Sequence, residues 1–411
     1  MAITSWVPAP PGGGFGVGNL PYGVFSRPGE RPRVGVAIGG HVVDLAGLAA
    51  AGLVVDRGWF AAASLNGFMA AGRAAWLANR ERLTELLTDE AHRPHVTPHL
   101  VPLDEVRSHL PIEVADYVDF YSSLDHATNV GRIFRPDADP LPPNWRHLPV
   151  GYHGRAGTVV VSGTPVVRPA GQRLRPGEAT PSFGPTAKLD FEAEVGYVVG
   201  VPAGGPVAPA AFREHVFGFV LVNDWSARDI QSWESRPLGP FLGKSFATSI
   251  SPWVVPVAAL EAARVAPPAQ DPPPPSYLRC DEPWGLDLSL RVELNGHQIA
   301  RPEFASMYWT PPQQLAHATV NGATLRTGDL FASGTVSGAE RERRGCLLEL
   351  TSDGREPLDL PGGARRAFLD DGDTLVISAT APAADGTRIS FGAVTGTIHP
   401  ARTADEHPES P

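Results

Sequence analysis

The stretch VFGFVLVNDWSARDIQSWESRPLGPFLGKSFATSIS, residues 216–251, decides how this chain is read. Val216 to Val222 is an unbroken apolar run, which reads as a buried strand. It ends in polar residues and leads into a short helix. On a helix Asp224, Arg228 and Gln231 stand at i, i+4 and i+7 and share one face. Lys244 follows in a Gly-rich loop. A carboxylate, a guanidinium and an amide on one face are costly to keep together without a ligand to satisfy them. A solvated salt-bridge face is the plain alternative, and this stretch alone leaves both open.

Working outward, the 411 residues exceed one minimal core, so two domains are expected. The hydrophobic fraction of 42% and the charged fraction of 19% are those of an ordinary globular chain. With 44 Gly, 43 Pro and few Lys, turns are frequent and helix is limited, which favours a mainly β (α+β) fold. A net charge of -10 argues against a nucleic-acid binder or a basic membrane-surface protein. Cys280 and Cys346 form neither a disulfide framework nor a cysteine metal site, which fits a reducing cytoplasm. The N-terminal MAITSWVPAPPGGGFGVGNL lacks a basic region followed by an apolar core, so a secretory signal is not expected. No run approaches the roughly 18 apolar residues of a membrane span.

Residues 1–112 read as a first, structural or oligomerisation unit. Val34 to Ile38 and His41 to Asp44 flank a Gly-Gly pair, a β-hairpin signature. An Ala- and Leu-rich helical stretch runs from Trp59 to Thr88, with Arg73, Arg80 and Arg82 expected at exposed positions. Residues 113–411 form the second unit, dense in short β-like runs: Thr158–Val161, Pro165–Arg168, Leu189–Val199, Val216–Val222, Trp253–Val257, Leu286–Leu294, Leu347–Thr351 and Thr374–Thr380. Residues 265–284, with Pro272 to Pro275, read as a stiff surface excursion. The polar tail from Ala401 reads as loose.

Two further constellations carry chemistry. Glu192 and Glu194 stand two apart in LDFEAEVGYVV, hence on one face of a strand, about 7 Å apart. The flanking residues are apolar in both phases, so the strand reads as buried on both sides. Buried paired carboxylates repel unless a cation neutralises them, and hard oxygens favour Mg²⁺ or Ca²⁺. A solvent-facing strand is the competing reading. Asp119 and His126 are seven apart in DFYSSLDH. On a helix, that spacing returns to within about 20°. A general base needs a second group to orient it, and none is evident nearby. Several familiar motifs fail. GPFLGKS, residues 239–245, is one residue short of a phosphate loop, and the glycines of GGGFGVG do not form GxGxxG. There is no HExxH and no GxSxG. A hydrolase with this sequence has to activate water directly.

Taken together, these segments resemble the fumarylacetoacetase (fumarylacetoacetate hydrolase) family over nearly the whole chain. The matching blocks are NLPYGVFS at Asn19, DYVDFYSSLDHATNVGRIFR at Asp116, NWRHLPVGYHGRAGTVVVSGTP at Asn144, KLDFEAE at Lys188, NDWSARDIQSWE, LGPFLGKSF, MYWTPPQQLAHATVNG at Met307 and GDLFASGTVSG at Gly328. NDWSARD, GKSF and the paired Glu recur in a wider superfamily of hydrolases, decarboxylases and isomerases of dicarbonyl acids. DFYSS, VGYHGR and the N-terminal block narrow the likeness. The resemblance implies a small N-terminal SH3-like β domain, a C-terminal mixed β-roll catalytic domain, and a homodimer. It implies an Mg²⁺ or Ca²⁺ site at Asp119, Glu192, Glu194 and Asp224, with Lys244 and Thr248 close by. A lysine ammonium is not an inner-sphere ligand.

The same resemblance implies His126 as the base with Glu349, expected on a strand, as its orienting carboxylate. Arg228, Gln231 and Lys244 stabilise developing negative charge, and Tyr121, Arg135, Tyr152, Gln231 and Thr335 bind substrate. The activity implied is metal-dependent carbon–carbon hydrolysis of 4-fumarylacetoacetate, a diketo-diacid, in tyrosine and phenylalanine catabolism. Fumarylpyruvate hydrolysis, or decarboxylation or isomerisation of a keto-diacid, is the alternative within the superfamily. A noncatalytic β-rich scaffold is the alternative outside it. One departure stands out: the family's usual substrate-contacting Tyr after DIQ-x-W-E is replaced here by Ser235, followed by Arg236. Ala247 replaces a more usual Gly.

Overall fold

Val216–Asp224 is the central strand of the molecule, and all nine of its residues are buried. The structure is a computed structural model and describes residues 4–8, 14–175 and 177–402. The chain is mostly β with some helices. Ala193–Val199 pairs antiparallel along one edge of the central strand, and Thr248–Ile250 and Trp253–Pro256 pair along the other. The sheet continues through Trp253–Pro256 into Tyr22–Ser26, Arg33–Ile38, His41–Asp44 and Leu100–Pro102. On the other side it continues through Leu330–Ala332, Tyr117–Phe120 and Gly151–His153. The N-terminal strands are therefore hydrogen-bonded into the same sheet as the strands that follow.

Successive side chains of a strand point to opposite faces, so a strand buried throughout needs a core on each side. Phe217, Val220 and Val222 join a core with Tyr22, Val24, Phe60, Phe68, Leu83 and Leu86 of the N-terminal segment. Phe219 and Leu221 face another core, with Tyr197, Phe212, Ile377 and Phe391. That core is closed by a second sheet, ordered His297–Ala300, Ser289–Leu294, Thr374–Pro382, Arg388–His399 and Val166–Val167. Burial alternates along Thr374–Pro382, as expected where only one face is covered.

Most of the expected strands form, with informative differences. The hairpin is present, Ile38 opposite His41, with Gly39 at φ 57° making the turn. The helical stretch is divided into Asn66–Met69 and Arg73–Thr88. Arg80 is not at the surface as expected: its guanidinium donates to the Asn19 carbonyl at 2.6 Å and to that of Gly18, drawing the N-terminal loop onto the helix. Leu189–Val199 is interrupted, with Leu189–Asp190 pairing Ser226–Ala227 and a new strand starting at Ala193. Leu347–Leu350 is a short helix, not a strand. The Pro-rich excursion is mostly exposed, but it is tied down where Gln270 donates to the Tyr308 carbonyl and Leu278 is buried. The polar tail lies, from residue 403, outside the described residues.

Candidate active site

Four carboxylates from three strand regions converge in the interior. Asp119 lies on Tyr117–Phe120, in parallel register with Ala332 and opposite Tyr152. Glu192 occupies the break before Ala193–Val199, and Glu194 lies within that strand. Asp224 ends the central strand. One oxygen from each lies within 4.8 Å of the others, and all four residues are buried. Lys244 donates to Asp224 Oδ2 at 2.6 Å and to Glu192. Arg228 Nη1 lies 2.8 Å from Glu192 Oε1, and Tyr152 donates its phenolic proton to Asp224 Oδ2 at 3.2 Å. Thr248 Oγ1 donates weakly to Asp224 Oδ1 at 3.4 Å. Lys244 and Thr248 thus reach the cluster through the oxygens of its acids.

The charges do not balance. Arg228 is also paired, through Nε at 2.9 Å, with the buried Asp190. Five buried carboxylates face two cations. Burial drives the Asp119 and Glu194 carboxyls well above their ordinary range, reinforced by Asp224 beside Asp119 and by Asp119 beside Glu194. Glu192 goes the other way: burial would raise it, but Lys244 and Arg228 flank it and hold it well below. Asp224 shares Lys244 yet is raised, because burial and the neighbouring Glu192 outweigh that single cation. Among the described residues, Asp119 Oδ1 and both Glu194 oxygens have no hydrogen-bond partner. Buried carboxylate oxygens, without a protein partner and crowded by like charge, fit a hard divalent cation.

Beside the cluster stands a histidine–carboxylate pair. His126 Nδ1 donates to Glu349 Oε2 at 2.6 Å, which leaves Nε2 as the basic nitrogen, 3.9 Å from Glu192 Oε1. Glu349 also accepts from Asn129 Nδ2 at 2.9 Å, Ser337 Oγ at 2.7 Å and Cys346 Sγ at 3.2 Å. Burial alone would raise the Glu349 carboxyl, but the His126 charge and the donors from His126, Asn129 and Ser337 hold it down at about 2. Tyr121 stands edge-on to the His126 ring, with centroids 5.3 Å apart.

The residues singled out from sequence are mostly brought together, by local structures other than those expected. Asp119 and His126 do not share a helix. Asp119 is on a strand, and His126 opens the helix Leu124–Phe134, whose N-cap Ser123 accepts from the His126 N–H. The serines of DFYSS turn the chain from strand to helix there. Asp224, Arg228 and Gln231 do not share a helix face either. Asp224 ends the strand, and the helix is Arg228–Glu234. Gln231 Oε1 accepts from Arg228 Nη1 at 3.3 Å. The short helix Leu242–Ser245 places Lys244, and Gly243 lets it pass close to Gln231: a Cβ there would lie 2.8 Å from the Gln231 backbone.

Thr335 Oγ1 and Arg228 Nη2 are buried without a partner among the described residues, so both are available to a ligand. Arg135 is held differently, its Nη2 donating to the Pro140 carbonyl at 2.6 Å. Ser235 caps the C-terminal end of Arg228–Glu234, and Arg236 is exposed. Asp190, Asn129, Ser337 and Cys346 are the residues sequence reasoning missed. Only Asp190 carried a signal, standing two before Glu192 in the same phase as Glu192 and Glu194.

Residues 116–399 match the family described as fumarylacetoacetate (FAA) hydrolase C-terminal, and residues 18–111 match fumarylacetoacetase N-terminal. The chain is 47% identical to fumarylacetoacetase from Homo sapiens, covering 97% of this chain and 99% of that protein. It is 45% identical to fumarylacetoacetase from Caenorhabditis elegans, covering 97% of this chain and 100% of that one. Among solved structures, a fumarylacetoacetate hydrolase from the psychrophile Exiguobacterium antarcticum aligns with a TM-score of 0.56 at 19% identity. That alignment covers 93% of this chain and 100% of the other, and is a likeness of fold.

Proposed function

The chain belongs to the fumarylacetoacetase family, and from that premise we propose that it hydrolyses 4-fumarylacetoacetate to fumarate and acetoacetate, closing tyrosine and phenylalanine catabolism. The observation that carries the mechanism is the His126–Glu349 pair opening beside four buried, under-neutralised carboxylates. Asp119, Glu192, Glu194 and Asp224 would hold the ion, Mg²⁺ or Ca²⁺, with Lys244 and Thr248 steadying their oxygens. Such an ion, when bound, supplies Lewis-acid polarisation of a diketone and compensation of the acid cluster.

In this reading His126, held by Glu349, takes a proton from water at Nε2. The hydroxyl adds to the carbonyl carbon next to the fumaryl double bond. The bond from that carbon to the neighbouring methylene then breaks, and its electron pair leaves with the acetoacetate fragment. That fragment takes up the proton. Arg228, Gln231 and Lys244 stabilise the negative charge in passing, and the unpartnered Arg228 Nη2 supports this, being a preorganised donor in a buried site. Tyr121, Arg135, Tyr152, Gln231 and Thr335 hold the substrate, Arg135 by planar contact with a carboxylate once released from Pro140.

Residues 1–112 serve as the structural unit and 113–411 as the catalytic unit. A homodimer is supported by apolar side chains left in water on adjoining elements: Phe183, Trp233, Phe241, Leu242 and Leu238, the last 96% exposed. A cytoplasmic location is supported by the free cysteines. Among the described residues no helix is long and apolar enough to cross a membrane.

The test is loss of fumarylacetoacetate absorbance with purified protein, in Mg²⁺ or Ca²⁺ and again with a chelator. Metal-dependent loss with fumarate and acetoacetate as products is the expected result. No loss from folded, metal-loaded protein would overturn the substrate and direct the search to fumarylpyruvate.

A further inference from the structure

Asp190 is fully buried and belongs to neither the acid cluster nor the base pair, yet it touches elements that carry both. Its Oδ2 accepts from Arg228 Nε at 2.9 Å and from the Leu348 N–H at 3.0 Å. Its Oδ1 accepts from the Leu347 N–H at 2.7 Å and from the Phe191 N–H at 2.8 Å. Leu347 and Leu348 are the first two residues of the helix Leu347–Leu350, which carries Glu349. That helix begins at Cys346, which makes no side-chain cap bond. The first N–H groups of a helix need an acceptor, and a local Ser, Thr, Asp or Asn normally supplies it. Here the acceptor is a carboxylate more than 150 residues earlier, |i−j| being 157 to Leu347.

The same carboxylate fixes Arg228, whose guanidinium also reaches Glu192 at 2.8 Å, and Arg228 is held further by its own N–H donating to the Lys188 carbonyl. Asp190 itself is set by the ladder that places it opposite Ser226. One side chain therefore fixes Arg228 relative to the helix bearing Glu349, and through Glu349 relative to His126.

We propose that Asp190 is a positioning residue for the hydrolytic reaction, a distant N-cap that locks the helix of Glu349 and the guanidinium of Arg228 into one frame. This rests on the hydrolase reading above. Asp190→Asn keeps the shape but replaces one acceptor oxygen with a donor: at the Oδ2 position Arg228 Nε and the Leu348 N–H lose their acceptor, and at the Oδ1 position the Leu347 and Phe191 N–H groups do. Displacement of about 1 Å between reacting groups costs on the order of 100-fold in rate. The expected result is kcat lower by about 30- to 100-fold with KM within about twofold, since in the mechanism above Arg228 acts on charge that develops after substrate is bound and Glu349 acts on the base. A loss confined to KM, or an unchanged kcat, would overturn the proposal.

Hydrogen exchange of the peptide covering residues 345–351 is measured on the same variant, without substrate. Exchange at Leu347 or Leu348, whichever faces the amide nitrogen, should quicken by about tenfold or more, and unchanged protection at both would overturn the proposal even if the wild type turned over another acid. Failure of wild type to cleave fumarylacetoacetate would instead strike the substrate assignment and leave the exchange result to decide on Asp190. If Asp190→Asn does not fold, the double variant with Cys346→Ser is used, where the new hydroxyl can cap the helix locally. Its exchange protection should match that of the wild type while kcat stays low, because a local hydroxyl does not replace the carboxylate that holds Arg228. Full recovery of kcat would show that Arg228 does not need Asp190 and would overturn the shared frame.

Discussion

At the scale of single residues the site is a matter of which proton goes where. His126 donates from Nδ1 to Glu349, so its other nitrogen is the only one free to accept a proton. His126→Ala should lower kcat by about 10²- to 10⁴-fold while divalent-ion binding, read by calorimetry, is retained. Near-normal turnover would remove His126 from its role. Glu349 also makes a statement about stability. A carboxyl held below its ordinary value of 4.5 stabilises the folded state at pH values above that figure, and the contribution is lost as pH falls toward its folded value of about 2. The melting-temperature gap between wild type and Glu349→Gln should therefore be widest above about pH 5 and narrow steadily below it. A gap constant across that range would show that Glu349 is not the group being titrated.

At the scale of elements, function depends on short pieces meeting at close range. Leu242–Ser245 and Arg228–Glu234 bring Lys244 and Gln231 into one site because Gly243 has no side chain. Gly243→Ala should push them apart, lowering kcat more than the roughly 1–3 kcal/mol of stability typical of overpacking would suggest. Parallel measurement of kcat and the denaturation midpoint checks this. Elements were also where sequence reading met its limit. The strand Val216–Asp224 was legible because a short, unbroken apolar run rich in Val and Phe is stable only with both faces covered. The pairing of acids was legible as one of two readings, since like charges repel when buried unless a cation neutralises them and a solvent-facing strand needs none. The helix at Leu347–Leu350 was not: LLELT has the apolar content of a strand, and its helical state depends on a cap from Asp190, which no local pattern reveals. Likewise the helical spacing expected of Asp119 and His126 does not form, since Ser122 and Ser123 break strand from helix between them. The His126–Glu349 pairing came from family likeness, because nothing in the spacing of residues so far apart encodes contact.

At the scale of the whole molecule, the two ends of the chain's architecture meet on one strand. Phe217 packs at 5.2 Å from Trp76, 5.5 Å from Tyr22 and 5.9 Å from Phe68, all contributed by the N-terminal segment. Phe217→Ala should cost about 3–5 kcal/mol and shift a single unfolding transition, not split it in two. Calorimetry showing an unaltered transition for the N-terminal segment would contradict a shared core. The long reach of the site also has a consequence for how the protein is made. His126 and Glu349 are separated by 223 positions, and synthesis proceeds at about 5–20 residues per second. On the proposed mechanism a nascent chain carries all four acids and its base for about six seconds or more before Glu349, the carboxylate that would orient the base, is made. On that mechanism catalysis is withheld until Glu349 has been made, and a product that stops before it should be inert, which a turnover assay of such a truncated chain checks.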